Sequence, residues 1–292
     1  MIFERLKVGF LRRYYRLMNW YAWRGGAKTA VTMQDTAISS PEGSIPLRIY
    51  RVESEQAERL IVYFHGGGWV LGDLETHRPF CEQLCASTRS MVVAVDYRLA
   101  PGHPFPAAVQ DCQAATRWAL ENSAALHAAG LPVFVAGDSA GGNLAAVVAK
   151  SVGSLAGQIL IYPVTAHYSL ELPSYAENAS GYGLTRNLMI WFWDTYLRGS
   201  TAGAPSVREL STPLDWESAG ELPPALVLTA EFDPLRDEGI RFSELLSASG
   251  TPCRHRLFNG ALHGFLCSEG LSRHHLEGML EMIDWLDSIT LR

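Results

Sequence analysis

The stretch from Phe134 to Ala149 reads FVAGDSAGGNLAAVVA and decides how the chain is organised. Apolar residues run directly into a cluster of small residues centred on Ser139, and alanine, leucine and valine resume at once. The pattern predicts a strand over Val133–Gly137 and a helix over Gly141–Val152, joined by a turn too tight for side chains. A serine at the apex of such a turn is a candidate nucleophile, although a glycine-rich strand-to-helix turn without chemistry would look similar.

Short apolar runs alternate with segments of helical character along the rest of the chain, which predicts an α/β fold with a mainly parallel sheet and helices on both faces. The first two runs flank Ser40-Pro41-Glu42-Gly43, a turn sequence that favours an antiparallel pair. The predicted strands are Thr32–Ser39, Ile45–Val52, Leu60–Phe64, Met91–Val95, Val133–Ala136, Gln158–Tyr162, Ala225–Ala230 and Cys253–Phe258. The predicted helices are Arg78–Ser87, Ala107–Ala124, Gly141–Val152, Arg236–Ser249 and Ser272–Ile289.

One segment, between Val164 and Leu222, interrupts this alternation. It is rich in aromatic residues and contains no clear parallel strand. A helix is expected over Asn187–Arg198, with Thr185 as its N-cap. We interpret the segment as an insertion at the loop end of the sheet. Its aromatic residues either line a substrate pocket or, as aromatic stripes usually do, pack into a small core.

A serine hydroxyl needs a base to take its proton and an acid to orient that base. Asp233 lies just past the carboxyl end of the predicted strand Ala225–Ala230 and is the expected acid, with Glu231 and Asp237 as competitors. His263 lies in a glycine-flanked loop after the last strand, where chain order places the base. The other histidines after Ser139 are His167, His255, His274 and His275, which lie before the acid, within a strand or on a helix.

His65-Gly66-Gly67-Gly68-Trp69 follows another predicted strand. Consecutive glycines let backbone N–H groups approach a substrate oxygen, so Gly67 and Gly68, with Ala140 after the nucleophile, are the expected oxyanion-hole donors. Phosphate binding is the poorer interpretation, because neither phosphate-loop glycine pattern is present. We expect His65 to anchor the loop.

Charge and cysteine content limit the partners. The net charge of −6 argues against nucleic-acid binding. The five cysteines show no zinc spacing and favour buried, reduced thiols in a cytoplasmic protein. Residues 1–28 hold seven Lys or Arg and one Glu, so the remaining residues carry about −12. Phe3, Leu6, Phe10, Tyr14 and Leu17 recur at helical spacing there. This segment is expected to dock on the domain or cover a site. Membrane contact is not expected but stays an alternative.

Taken together and in this order, the motifs resemble the hormone-sensitive-lipase-like family of α/β-hydrolases, the bacterial type IV esterases with the G-D-S-A-G sequence. The similarity covers about Leu60 to the C-terminus. The motifs that carry it are His65-Gly66-Gly67-Gly68-Trp69, Asp96-Tyr97-Arg98-Leu99-Ala100-Pro101, Phe105-Pro106-Ala107-Ala108, Gly137-Asp138-Ser139-Ala140-Gly141-Gly142-Asn143, Asp233-Pro234-Leu235-Arg236-Asp237-Glu238-Gly239 and His263-Gly264-Phe265.

The resemblance implies an α/β-hydrolase fold with an eight-stranded core, and one domain over 1–292 with a helical cap from about 1–30 and 165–215. It implies hydrolysis of carboxylic esters, with no metal or organic cofactor, and it favours Asp233 over Asp237. Short- to medium-chain esters are the expected small-molecule substrates, because cap aromatic residues usually narrow a pocket. Amide, formamide or lactone hydrolysis, a ligand-binding scaffold and a membrane-associated lipase are alternatives. An edge strand near the C-terminus would also allow a homodimer.

Overall fold

A single eight-stranded sheet forms the centre of the protein, and the computed structural model describes residues 2–24, 29–53 and 55–290 of the chain. All eight predicted strands are present, and the last runs on to Leu262 rather than ending at Phe258. The strands are β1 (Val31–Ser40), β2 (Gly43–Val52), β3 (Arg59–Phe64), β4 (Ser90–Val95), β5 (Val133–Asp138), β6 (Gly157–Ile161), β7 (Ala225–Phe232) and β8 (Cys253–Leu262).

The strand order is β1-β2-β4-β3-β5-β6-β7-β8. β2 pairs antiparallel with β1 and with β4, and every other neighbouring pair is parallel. The predicted mostly parallel sheet is therefore confirmed. β8 lies at one edge, as the sequence suggested for a strand near the C-terminus.

Helices cover both faces of the sheet, and the alternation of side chains along β3 shows why. Leu60, Val62 and Phe64 belong to one hydrophobic cluster, whereas Ile61 and Tyr63 belong to the cluster on the opposite face. Because both sets are buried, the strand is apolar at every position after Arg59, as parallel strands between two helical layers are. The helices are α1 (Ile2–Trp23), α2 (Arg78–Thr88), α3 (Ala107–Glu121), α4 (Ala140–Ser151), α5 (Pro173–Glu177), α6 (Arg186–Tyr196), α7 (Pro205–Glu209), α8 (Arg236–Ala248) and α9 (Arg273–Thr290).

The predicted insertion forms short helices without a strand: α5, α6, α7 and two 3-10 turns lie between β6 and β7. Thr185 is the N-cap of α6, since its side-chain oxygen accepts a hydrogen bond from the N–H of Leu188 at 3.1 Å. Most aromatic residues of the insertion pack rather than line an open surface. The buried ones are Tyr175, Phe192, Trp193, Tyr196 and Trp216.

The N-terminal helix α1 docks on the domain, but not through the predicted stripe. Val8 and Trp23 face the protein, and Trp23 Nε1–H donates to Cys267 O at 2.9 Å. Leu6, Phe10, Tyr14 and Leu17, by contrast, are exposed, and the side chain of Phe3 lies outside the described residues. Helical spacing predicts which residues share a face but cannot say which face meets the domain. Within the described part of the chain, no helix is long and apolar enough to cross a membrane.

Candidate active site

Ser139 occupies a sharp turn between β5 and α4. Its φ is +55°, a left-handed value that is uncommon outside glycine. A Cβ at Gly137 would overlap the backbone of Gly141, and a Cβ at Gly141 would overlap the carbonyl of Phe64. Both flanking positions therefore require glycine for space, and the serine is held in a fixed, strained conformation.

Three predicted site residues are joined by hydrogen bonds. His263 Nε2 lies 3.0 Å from Ser139 Oγ, and His263 Nδ1 lies 2.6 Å from Asp233 Oδ2. Asp233 is fully buried, and its other oxygen accepts the N–H of Leu235 at 2.9 Å. The imidazole thus lies between a hydroxyl and a fixed carboxylate, the arrangement that activates a serine by general-base catalysis.

The register of the sheet brings the acid and the base together. Phe232 at the end of β7 pairs with Leu262 at the end of β8. Asp233 is the first residue after β7 and His263 is the first residue after β8, so the two residues lie side by side at the same end of the sheet. The predicted positions beyond the carboxyl ends of parallel strands thus converge in space.

The competing acids and histidines have other partners. Asp237 accepts the N–H of Ser174 at 2.8 Å and binds Arg236, while Glu231 accepts the N–H of Gly260 at 2.6 Å. The remaining histidines are occupied elsewhere: His167 contacts Ser169, His255 contacts Thr229, His275 contacts Leu266 and His274 packs near Phe265.

The glycine-rich loop leaves β3 beside the serine turn, because Phe64 pairs with Gly137 in the parallel register. Gly67 and Gly68 have φ of +114° and +62°, values that favour glycine. Both line the same cavity as Ser139. Ala140 is the first residue of α4, where backbone N–H groups lack an intrahelical acceptor. Three N–H groups expected to bind an oxyanion therefore come from two adjacent segments.

Buried side chains hold this loop from behind. His65 is stacked on Tyr97 at 4.3 Å between ring centroids, and the Tyr97 hydroxyl donates to the His65 carbonyl at 2.6 Å. Burial, aided by the neighbouring His77, lowers the pKa of His65 to about 4, so this imidazole is neutral near pH 7. His65 lies behind the loop, in agreement with the anchoring role expected for it.

Asp138 connects the serine turn to the loop. Its Oδ1 accepts the Tyr63 hydroxyl at 2.5 Å and the N–H of Gly66 at 2.8 Å. Burial opposes ionisation of this carboxyl, but the nearby His77 and the two hydrogen bonds outweigh it and hold its pKa below the usual value. Asp138 thereby fixes the distance between the two segments that carry the expected oxyanion donors.

A mainly apolar cavity of about 340 Å³ opens above Ser139 and His263. Its walls come from the glycine loop, the insertion and α1, together with the serine turn, the end of β6 and the loop after β8. Besides Ser139, His263, Gly67 and Gly68, the residues that line it are Leu11, Tyr14, Tyr15, Leu71, Asp138, Tyr162, Gly183, Leu184, Leu188, Phe192, Gly264 and Ser268. A cavity of this size and polarity fits a small hydrophobic ligand.

Two contributors to the site were not found from the sequence. The ring of Tyr162 lies 4.7 Å from that of His263, and its position at the end of β6 could have marked it as a candidate. Asn178 Nδ2 donates to the carbonyl of Asp233 at 3.1 Å, across 55 residues, and no local pattern signals such a contact. Among the described residues, no group of three or more potential ligands could hold a metal ion.

A family model described as the alpha/beta hydrolase fold matches residues 61–267. With its sheet order, its serine turn and its glycine loop, the chain belongs to the hormone-sensitive-lipase-like family of α/β-hydrolases. The resemblance predicted from the motifs is confirmed.

Named relatives share most of the chain. Carboxylic ester hydrolase LipN of Mycobacterium tuberculosis is 41% identical over 89% of this chain and 71% of its own length. Esterase LipI of the same organism is 41% identical over 81% of this chain and 76% of its own length. The solved structure of EstE1, a thermostable carboxylesterase from a metagenomic library, superimposes with a TM-score of 0.87 at 35% identity. The superposition covers 97% of this chain and 96% of the EstE1 chain.

Proposed function

We propose that the protein is a serine carboxylesterase that hydrolyses short- to medium-chain carboxylic esters through an acyl-enzyme intermediate. The main support for this proposal is the hydrogen-bonded series Ser139–His263–Asp233 next to an apolar cavity. The relatives named as esterases support ester hydrolysis as the reaction.

In the acylation step, Ser139 Oγ attacks the ester carbonyl carbon while His263 Nε2 takes the hydroxyl proton. The carbonyl oxygen becomes an oxyanion held by the N–H groups of Gly67, Gly68 and Ala140. Asp233 stabilises the protonated imidazole. The C–O bond to the alcohol then breaks, and His263 returns the proton to the departing alkoxide, leaving an acylated serine.

Deacylation repeats these events with water as the nucleophile. His263 takes a proton from water, and the resulting hydroxide attacks the acyl carbon under the same three N–H donors. Collapse of this second tetrahedral species breaks the bond to Ser139 and releases the acid. The proton taken by His263 returns to Ser139 Oγ. No cofactor is needed for this sequence of steps.

The substrate preference follows from the cavity walls. Leu184, Leu188 and Phe192 from the insertion and Leu11 from α1 close the apolar space to about 340 Å³. We therefore assign a helical cap to about 1–30 and 165–215 within one domain of 1–292. A narrow apolar space admits a short or medium acyl chain and excludes a long extended one.

A reduced, cytoplasmic setting and a homodimer remain parts of this proposal. All five cysteines are free, and four are buried, whereas Cys253 at the start of β8 is only partly buried and departs from the expectation for the set. The edge position of β8 would allow pairing between two copies. Light scattering after size-exclusion chromatography would distinguish a dimer from a monomer.

The test is hydrolysis of p-nitrophenyl acetate, butyrate, octanoate and laurate by wild type, Ser139→Ala and His263→Ala. We expect wild-type turnover to peak with the short and medium chains and to fall by at least about 10³-fold in both variants. Matched amide and lactone substrates identify the acyl bond that is preferred. Turnover that survives the loss of Ser139, or is confined to amides, would reject the serine carboxylesterase.

A further inference from the structure

The outward side of α1 carries large apolar side chains that nothing in the described chain covers. Phe10 is 69% exposed and Trp20 is 64% exposed. At about 100° per residue, these side chains fall within one sector, opposite the buried Val8, Asn19 and Trp23. This sector, the outer face of α1, consists of Leu6, Phe10, Tyr14, Leu17, Trp20 and Tyr21.

The same helix carries an excess of positive charge, with Glu4 in its first turn as its one acidic residue. The sequence from Leu6 to Arg24 contains five Lys or Arg and neither Asp nor Glu. Arg12 is directed inward, where its side chain donates to the carbonyls of Val70 and Ala100 at 2.9 and 3.2 Å. Arg13 and Arg24, which are exposed, lie on the side of the outer face. Apolar side chains and cations are thus presented together.

We propose that the outer face of α1 binds the surface of a membrane that contains anionic lipid, with the helix lying parallel to the membrane plane. Phe10, Leu17 and Trp20 enter the boundary between headgroups and acyl chains. Tyrosine and tryptophan rings favour this depth, where one edge is apolar and the other is wet. Arg13 and Arg24 meet the lipid phosphates, and attraction to the anionic surface adds to the apolar burial.

Charge complementarity selects this occupant over a second copy of the chain. Residues 1–28 carry seven positive side chains and one negative, whereas the rest of the chain carries about −12. Two copies pairing through this face would bring two basic helices together, and the like charges would repel each other. An anionic lipid surface attracts the basic helix and repels the acidic remainder, which orients the protein with α1 toward the membrane.

The position of the active-site cavity is consistent with this orientation. Tyr14 belongs to the outer face of α1 and also lines the cavity, and Leu11 lines it one turn away. If the proposed esterase function holds, an ester dissolved in the membrane reaches Ser139 along this helix. The lipid-binding proposal itself requires no turnover.

Sedimentation with vesicles tests the proposal without relying on activity. Wild type, Phe10→Ser/Leu17→Ser, Arg13→Gln/Arg24→Gln and Leu276→Ser/Leu280→Ser are mixed with phosphatidylcholine vesicles with and without phosphatidylglycerol. The last pair is the matched control, since Leu276 and Leu280 on α9 are 54% and 66% exposed, compared with 69% and 58% for Phe10 and Leu17. Circular dichroism melting checks that every variant is folded.

We expect wild type and the α9 variant to sediment with anionic vesicles, more weakly at raised salt. The partition coefficient should fall by about 10-fold or more in Phe10→Ser/Leu17→Ser, because two large apolar side chains no longer enter the lipid. It should fall less in Arg13→Gln/Arg24→Gln. Absence of wild-type binding, equal binding by the Phe10 and Leu17 variant, or burial of this face in a dimer without vesicle binding would overturn the proposal. Hydrolysis of p-nitrophenyl acetate, measured separately, reports on the esterase function alone.

Discussion

The ring of Phe192 lies directly against the backbone of Gly68. A Cβ built at Gly68 would overlap three carbon atoms of that ring, and the φ of +62° at Gly68 independently favours glycine. Phe192 belongs to α6 of the insertion and Gly68 to the loop of expected oxyanion donors. The insertion thus contacts this loop directly, so a change in Phe192 is expected to alter both the size of the cavity and the position of the loop.

Replacing Phe192 with alanine should shift the substrate preference toward longer acyl chains. The ring forms one wall of the cavity, and its removal opens apolar space next to Ser139. We expect the ratio of kcat/KM for p-nitrophenyl octanoate to that for acetate to rise by about 10-fold. Trp191→Ala is the control, because the Trp191 ring does not line the cavity. It faces Lys7 instead, with the Lys7 Nζ 5.1 Å from the ring centroid. An equal shift in both variants would contradict this role of Phe192.

Gly68→Ala should lower kcat by at least about 10²-fold, because the added methyl displaces either the loop or the Phe192 ring. The double variant Gly68→Ala/Phe192→Ala separates the two causes. Removal of the ring relieves the overlap but not the backbone strain, so we expect partial recovery of kcat. Complete recovery would show that φ at this position is unimportant, and no recovery would show that the contact with Phe192 is unimportant.

The two neighbouring aspartates provide a matched test of the acid. Asp233→Asn should lower kcat by about 10³- to 10⁴-fold, because an amide cannot stabilise the charged imidazole of His263. Asp237→Asn should keep kcat within a few-fold, since its carboxylate contacts Ser174 and Arg236 instead. Kinetics of butyrate hydrolysis with both variants checks the assignment. A larger loss in Asp237→Asn would reverse it.

Much of the fold could be predicted because the apolar strands and the glycine-flanked serine can each be recognised within a short stretch of sequence. β3 and β5 are apolar at nearly every position, which is typical of strands covered on both faces. The serine turn is equally readable, because Gly137 and Gly141 flank Ser139 within one short stretch between a strand pattern and a helix pattern. Asp233 and His263 could be expected to meet because each directly follows a parallel strand.

The parts that were not predicted depend on how distant segments pack. Periodicity grouped Leu6, Phe10 and Leu17 on one side of α1, yet the helix docks through the opposite side. Among the insertion aromatics, only the packing of α6 determines that Phe192 reaches the cavity while Trp193 is enclosed against Trp69 at 4.6 Å between ring centroids. Neither outcome is encoded in residue spacing.

Asp138 should act as a positioning residue for the loop. In Asp138→Ala, the buried N–H of Gly66 loses its acceptor, so we expect lower thermal stability and a kcat reduced by about 10-fold or more with little change in KM. Asp138→Asn keeps a carbonyl oxygen and should recover part of kcat. A change in KM alone, or no difference between the two variants, would argue against positioning of the oxyanion donors.

Glu238 should make stability fall as the pH rises. Its buried side chain accepts the N–H groups of Thr165 and Ala166 at 2.7 and 3.2 Å, and burial raises its pKa to about 8. Because the folded protein then holds a proton that the unfolded chain releases above its ordinary pKa, the contribution to stability declines between about pH 4.5 and 8.

Glu238→Gln keeps an oxygen for the two N–H groups and cannot ionise. The Tm of the variant minus that of wild type should therefore increase from about pH 5 to about pH 8. Expressed as the free energy of unfolding, this difference should change by at most about 1.4 kcal/mol per pH unit. Other titrating groups, including His65, are common to both proteins and cancel in this difference. Glu244→Gln, which replaces an exposed carboxylate further along α8, is the control. A difference that is constant or decreases for Glu238→Gln would show that Glu238 is already ionised in the folded protein at neutral pH.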